Sequence, residues 1–86
     1  MSFLVEITRR AEKDLDGLDR TMERQVRDRL KQLAQEPYSP LLSQQVRMGE
    51  GERKSRIRNW RIFFEVDEIN KRIIILSVKH RKTAYR

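Results

Sequence analysis

Hydrophobic residues recur at helical spacing in the first half of the chain and at alternate positions in the second half. A short apolar run at Phe3–Ile7 is partly β-branched and predicts an opening strand. Helical spacing then predicts a helix over about Arg9–Leu18, with Thr8 as its N-cap, and a second helix over about Thr21–Gln35. Pro37 ends the second helix, so we expect a helical hairpin that covers one face of a sheet.

The second half alternates with a period of two residues, which is typical of strands with one buried face. The predicted strands are Gln45–Met48, Arg53–Arg58, Trp60–Val66 and Lys71–His80, separated by turns at Gly49–Glu52, Asn59 and Asp67–Asn70. The run Ile73–Leu76 favours a central strand covered on both faces. The fold class is therefore α+β: a strand, a helical hairpin and then three or four antiparallel strands, in a single domain over residues 1–86.

The net charge of +7 is placed unevenly along the 86 residues. Residues 1–43 carry equal numbers of basic and acidic side chains, so the whole excess lies in residues 44–86. This asymmetry predicts a binding site for a polyanion. The chain has no cysteine, which excludes disulfides, thiolate metal sites and a cysteine nucleophile. The beginning of the chain resembles neither a signal peptide nor a membrane anchor, and we expect a cytoplasmic protein.

Cationic residues alternate at Lys54, Arg56 and Arg58, and Arg61 follows three residues later. On a strand the first three would form one row on the same face. Like charges in a row repel one another, so a function other than folding is expected to keep them, and a run of phosphates is the simplest partner. Pairing through the Asp67–Asn70 turn would bring Arg61 to the level of the basic residues that end the last strand.

A phosphodiester site is predicted where these cations meet, since arginine binds phosphate oxygens and stabilises charge that develops in a transition state. One histidine and no carboxylate cluster of two-metal spacing are present, so metal-assisted hydrolysis is not expected, and neither is a cofactor. A metal-free enzyme could use the ribose 2′-OH of RNA as its nucleophile. Strict alternation places His80 with Ile74, Leu76 and Val78, and it places Trp60 in the core.

The chain resembles the RelE/ParE superfamily of toxins from bacterial and archaeal toxin–antitoxin pairs. Three segments carry the resemblance, in the right order: Ala11–Leu18, Arg56–Val66 and the ending His80–Arg86. The resemblance covers nearly the whole length. It implies the microbial-RNase-type fold of the family and, for RelE-like members, a ribosome-dependent endoribonuclease that cuts the mRNA codon in the A site.

The resemblance also implies roles for particular residues. The catalytic set it implies is Lys54, Arg56, Arg61, Arg81 and Tyr85. The set implied for RNA and ribosome binding is Arg58, Lys79, His80, Lys82 and Arg86. Arg56 stands where the family has a lysine, and because arginine stays protonated, the role of general base passes to Lys54. Trp60 replaces the usual tyrosine, which removes a hydroxyl group.

The sequence is compatible with two other functions. A ParE-like toxin would inhibit DNA gyrase by binding and would need no nuclease site. A third possibility is an RNA- or ribosome-binding module that has lost catalysis, which the arginine at position 56 leaves open. A toxin of either kind implies an acidic, RelB-like antitoxin that folds on binding, and the RelE-like kind implies the ribosome and mRNA as further partners.

Overall fold

The computed structural model describes residues 2–46 and 51–82. Its elements in chain order are β1 (Leu4–Ile7), α1 (Arg9–Asp16), α2 (Arg20–Gln35), β2 (Gln44–Gln45), β3 (Glu52–Ile57), β4 (Trp60–Asp67) and β5 (Arg72–His80). The α+β class is confirmed. Within the described residues no helix has the length and apolar composition needed to cross a membrane.

A hydrogen-bonding side chain caps the N-terminus of each helix, Thr8 for α1 and Asp19 for α2. The Thr8 hydroxyl accepts from the backbone N–H of Ala11 at 3.2 Å, which confirms it as the N-cap of α1. The same hydroxyl donates to the carbonyl of Ile75 at 2.7 Å, so this cap also ties α1 to β5. Helix α1 ends at Asp16, two residues earlier than predicted, because Gly17 forms its C-cap.

The strands form one sheet in the order β1-β5-β4-β3-β2. The four strands after the helices pair with one another in antiparallel fashion, as predicted. β1 joins the sheet as a fifth strand and is parallel to β5. The predicted strand at Gln45–Met48 begins at Gln44, and β2 comprises Gln44 and Gln45, which pair with Lys54 and Arg53. The backbone N–H of Val46 also donates to the carbonyl of Glu52 at 2.9 Å, and residues 47–50 lie outside the described residues.

Helices α1 and α2 pack on one face of the sheet and enclose the core between them and the strands. The buried apolar side chains are Ala11, Leu15, Met22, Val26, Leu30, Leu33, Ala34, Ile62, Phe64, Ile73, Ile75 and Val78. β5 is central, as predicted, but cover on both faces is wrong. Ile73 and Ile75 are fully buried, whereas Ile74 and Leu76 are partly exposed because both helices lie on the other side.

A β-bulge interrupts the pairing of β4 with β5. Phe63 pairs with Ser77 while Phe64 pairs with Ile75, so Leu76 is an extra residue in β5. An extra residue shifts the alternation of side chains for the remainder of its strand. Odd-numbered residues of β5 therefore face the helices before the bulge, as Ile73 and Ile75 do, and even-numbered residues face them after it, as Val78 does.

The bulge changes the environment of the end of β5. Val78 is 3% exposed and belongs to the helix-covered core, and its backbone N–H donates to Asp14 Oδ2 at 2.9 Å. His80 shares a face with Val78, as predicted. The predicted grouping of His80 with Ile74 and Leu76 is wrong, because strict alternation does not hold across the bulge.

Candidate nucleic-acid interface

The open face of the sheet is the side of β3, β4 and β5 that points away from the helices. Its side chains include Lys54, Arg56, Arg61, Phe63, Ser77 and Lys79, which are joined by cross-strand pairing. Arg61 lies at the centre, opposite Arg56 on β3 and opposite Lys79 on β5. The predicted approach of Arg61 to the end of β5 is therefore confirmed. Three cations lie side by side across three strands.

Arg61 is buried although it carries a charge. The residue is 6% exposed, and its Nε and Nη1 atoms are shielded from solvent. Its cross-strand neighbours on the open face are two further cations, Arg56 and Lys79. An anion bound at this position would be attracted by all three charges, so the arrangement is suited to a phosphate group.

A concavity of about 180 Å³ lies at this end of the sheet. Its walls are formed by Arg56, Arg58, Trp60, Arg61 and Arg81. The backbone N–H of Arg81 donates to the carbonyl of Asn59 at 2.7 Å, which fixes the chain after β5 against the β3–β4 turn. That contact brings Arg81 beside Arg61, although the two residues are twenty positions apart.

Arg58 does not continue the cationic row of Lys54 and Arg56, so that prediction is wrong. β3 ends at Ile57, and Arg58 occupies the tight turn before β4 with φ of 54°. Its Nε donates to Gln25 Oε1 on α2 at 2.8 Å, so its side chain reaches toward the helices. The favoured two-residue hairpin turns have positive φ at their first central residue, and Arg58 adopts it in place of the extended backbone expected. Arg58 still lines the concavity, from the helical side.

Helix α2 braces the strand that carries Arg56. Arg29 Nη1 donates to the hydroxyl of Ser55 at 2.9 Å and to the carbonyl of Arg56 at 2.6 Å. Ser55 is 1% exposed, so this contact supports β3 from beneath the open face. Arg29 is not among the residues predicted from the sequence. Its position three residues after Val26 borders the apolar stripe of α2, where long cationic side chains cover the edge of a core.

Trp60 and His80 form an edge-to-face pair at the boundary of the core. Their ring centroids are 5.0 Å apart, and the two residues are cross-strand partners. Trp60 packs against the core, as predicted, and also lines the concavity. His80 Nδ1 accepts from the backbone N–H of Lys82 at 3.3 Å. Both rings therefore support the floor of the cationic end.

The remaining predicted residues differ in position. Lys54 is partly buried on the open face, two residues before Arg56, with Phe63 opposite it on β4. Lys82 is exposed just beyond β5. Tyr85 and Arg86 lie outside the described residues. In residues 2–46 and 51–82, no three His, Cys, Asp or Glu side chains are grouped so that they could hold a metal ion.

The opposite end of the sheet is acidic and its charges are paired. Arg72 contacts Asp67 at 3.0 Å and Glu6 at 2.5 Å. Hydrogen bonds from Asn70, followed by the bond from Arg72, lower the pKa of Asp67 to about 2. Hydrogen bonding to Glu68 raises the pKa of the Tyr38 hydroxyl. The sheet thus has a compensated end and a cationic end.

Comparison with known proteins agrees with this arrangement. The family model of the ParE toxin of the type II toxin–antitoxin system parDE matches residues 5–85. No curated protein sequence matches.

Solved structures share the fold. A chain of the RelBE2 toxin–antitoxin complex of Mycobacterium tuberculosis has a TM-score of 0.85 at 24% identity, covering 94% of this chain and 100% of that chain. A mutant of the Escherichia coli toxin RelE in the free state has a TM-score of 0.81 at 18% identity, covering 99% and 90%. A chain of the archaeal RelE–RelB complex of Pyrococcus horikoshii has 0.77 at 24%, covering 94% and 97%.

The structural matches have low sequence identity and establish the fold, whereas the family model extends over almost the whole sequence. Together with the helical hairpin on a five-stranded sheet, they make this chain a member of the RelE/ParE superfamily of toxins from type II toxin–antitoxin systems.

Proposed function

We propose that this toxin is a ribosome-dependent mRNA endoribonuclease that cuts the A-site codon by metal-independent attack of the ribose 2′-OH. The observation that carries the proposal is the convergence of Arg56, Arg61 and Arg81 on one concavity at the cationic end of the sheet. A scissile phosphate there would meet three guanidinium groups, which bind its oxygens in pairs and stabilise the additional negative charge of the transition state.

The proposed reaction needs one proton removed and one supplied. The 2′-oxygen forms a bond to phosphorus and gives up its proton, while the bond from phosphorus to the 5′-oxygen breaks and that oxygen gains a proton. The products are a 2′,3′-cyclic phosphate and a 5′-OH. Lys54 is proposed as the base because Arg56, its neighbour on the open face, cannot release a proton. Tyr85 is proposed as a further catalytic residue.

Residues around the concavity are proposed to hold the RNA and the ribosome. This role is assigned to Arg58, Lys79, His80, Lys82 and Arg86. Of these, Lys79 lies on the open face beside Arg61, and Lys82 is exposed at the end of β5. Positive charge at this end attracts polyanions at long range, and the attraction weakens as salt is added.

An acidic, RelB-like antitoxin is proposed as the silencing partner, and the toxin is proposed to act in the cytoplasm. The net charge of +7 favours an acidic binding segment. Toxin–antitoxin complexes are among the structures that share this fold. An antitoxin bound over the open face would prevent RNA from reaching Arg61.

Inhibition of DNA gyrase is the second candidate function. The family model that matches this chain is that of the ParE toxin of parDE systems, and this match is the observation that favours it. The cationic concavity favours the nuclease over a purely inhibitory protein, since a binding surface does not need a buried guanidinium flanked by two other cations.

The test compares wild type with Arg81→Ala after induced expression in growing cells, with 5′ ends of a translated mRNA mapped. Arg24→Ala is the matched control, because Arg24 is an exposed arginine on α2, away from the concavity. We expect new cuts with 5′-OH ends for wild type and Arg24→Ala, none for Arg81→Ala, and none when translation is blocked. Growth arrest with altered plasmid supercoiling and no cuts would replace this proposal with gyrase inhibition.

A further inference from the structure

Phe63 is an aromatic side chain whose position on the open face contributes little to the core. Its neighbour Phe64 is fully buried against the helices, whereas Phe63 is partly exposed on the other side of β4. Its cross-strand partners are Lys54 on β3 and Ser77 on β5, both polar. An apolar ring between polar cross-strand neighbours gains little from burial, so packing alone does not explain an aromatic residue at this position.

Cations surround this ring on several sides. Lys54 lies directly opposite on β3, and Arg61 precedes Phe63 by two residues on the same face. Lys79 places its Nζ 5.9 Å from the ring centroid. An ammonium over an aromatic face is a weak contact when exposed to water, so a planar ligand can displace it at small cost.

An aromatic ring on a sheet with cations around it is suited to unpaired nucleic acid. A base stacks on the ring, while lysine and arginine side chains bind the phosphates on either side. A peptide segment would satisfy the cations through carboxylates, but it would leave the flat ring face without a planar partner. Glu65 follows Phe63 by two residues on this face, so three cations and one carboxylate surround the ring. This excess of positive charge and the planar apolar centre together favour RNA.

We propose that Phe63 is the platform on which one unpaired base of the bound RNA stacks, beside the concavity that receives the scissile phosphate. Lys54 and Lys79 then neutralise the neighbouring phosphates, and Lys79 leaves the ring as the base arrives. The choice of RNA as ligand rests on the proposed function. The assignment of Phe63 rests on its exposure and its three cationic neighbours.

The test measures binding of a single-stranded RNA trinucleotide with 2-aminopurine at its centre, whose fluorescence falls when the base stacks. Inorganic polyphosphate serves as a polyanion without bases. Phe63→Leu should weaken trinucleotide binding roughly 5- to 100-fold, as loss of one stacked base does, and should leave polyphosphate binding and the melting temperature unchanged. Phe63→Trp should restore binding and quenching.

Phe3 provides a matched control in the same chain. It is also partly exposed and has the Lys71 ammonium 5.4 Å from its ring centroid, but it lies before β1, away from the cationic end. Phe3→Leu should therefore bind the trinucleotide as wild type does. Equal affinities for Phe63→Leu and Phe3→Leu would overturn the inference, as would absence of quenching with wild type at low salt.

Two further outcomes separate this inference from the proposed function. If Phe63→Leu loses trinucleotide binding while wild type cuts no mRNA in cells, the stacking platform stands and the nuclease proposal fails. If wild type cuts mRNA and Phe63→Leu cuts equally well, with equal trinucleotide binding, the platform fails and the nuclease stands. Loss of affinity for an acidic antitoxin peptide with unchanged trinucleotide binding would assign Phe63 to a protein interface instead.

Discussion

The two faces of β4 show how one strand serves stability and binding with alternate residues. Ile62 and Phe64 point to the helices and are fully buried among apolar side chains. Arg61 and Phe63 point to the open face, where Lys54, Arg56 and Lys79 lie beside them. The first pair makes a core that needs no ligand. The second pair lies on the surface where the RNA ligand is proposed to bind.

The largest expected difference between the faces is in stability. Phe64→Ala should lower the free energy of unfolding by about 3–5 kcal/mol, because it removes a fully buried ring from the core. Phe63→Ala should cost about 1 kcal/mol or less, since its ring is partly exposed. Urea unfolding followed by circular dichroism measures both, and equal losses would contradict the division between the faces. Should Phe64→Ala fail to fold, the pair Phe64→Leu and Phe63→Leu provides the same contrast.

A second expected difference is in activity. Arg61→Leu should lower the rate of mRNA cleavage about 10²- to 10³-fold, as loss of a group that stabilises transition-state charge does. Thermal melting shows whether the variant remains folded, so that a lower cleavage rate is not confused with unfolding. Cleavage of ribosome-bound mRNA and thermal melting are measured on the same samples.

Arg53 is the matched control for Arg61, on the neighbouring strand and the helical side. Its Nε donates to the Ser43 hydroxyl at 2.6 Å, and its guanidinium lies 5.1 Å from the centroid of the Tyr38 ring. Arg53→Leu should therefore lose stability and keep its cleavage rate. A normal cleavage rate for Arg61→Leu together with a lowered rate for Arg53→Leu would place the functional cations on the helical face instead of the open face.

A smaller effect is expected where the helices brace the open face. Arg29→Ala should lower the free energy of unfolding by about 1–2 kcal/mol, because Ser55 beneath the face loses its charged donor. Ser55→Ala should cost less in an Arg29→Ala background than in wild type, since the same bond is already absent. A double-mutant cycle by urea unfolding gives this coupling, and additive losses would show that the two side chains act independently.

The smallest effect is expected at the acidic end of the sheet. The pKa of Asp67 is lowered from 3.8 to about 2 in the folded chain, so between these values the unfolded chain binds more protons. The stabilisation from Asp67 is therefore present above pH 4 and is lost as the pH falls toward 2. Asp67→Asn should flatten this part of the melting temperature's pH dependence. An unchanged slope would assign the acid sensitivity to other carboxylates.

The sequence predicted the features that depend on neighbouring residues. Thr8 was identified as an N-cap because a hydroxyl before an apolar helical pattern satisfies free N–H groups. The alternation around Trp60 and Phe64 predicted which side of β4 is buried. Arg61 was placed at the level of Lys79 because a hairpin fixes the register of its two strands.

Features that depend on one or two backbone angles were not predictable. Arg58 adopts positive φ in the turn, a conformation that is uncommon outside glycine and asparagine, so its side chain leaves the row of Lys54 and Arg56. The extra residue Leu76 leaves no mark in the hydrophobic pattern, since isoleucine and leucine fill that run throughout. The bracing by Arg29 depends on how α2 crosses the sheet, which sequence periodicity does not specify.

The pairing of β1 with β5 affects the order in which parts of the molecule fold. Leu4 pairs with Arg72, so the first strand made must wait for the last before the sheet is complete. Contacts so distant in sequence form late and slowly, and a chain still being synthesised has two helices without the strand they share. Arg81 is held in place only after β5 has joined the sheet. A chain that has not yet formed β5 therefore has no concavity, and the cationic end is among the last parts of the molecule to be assembled.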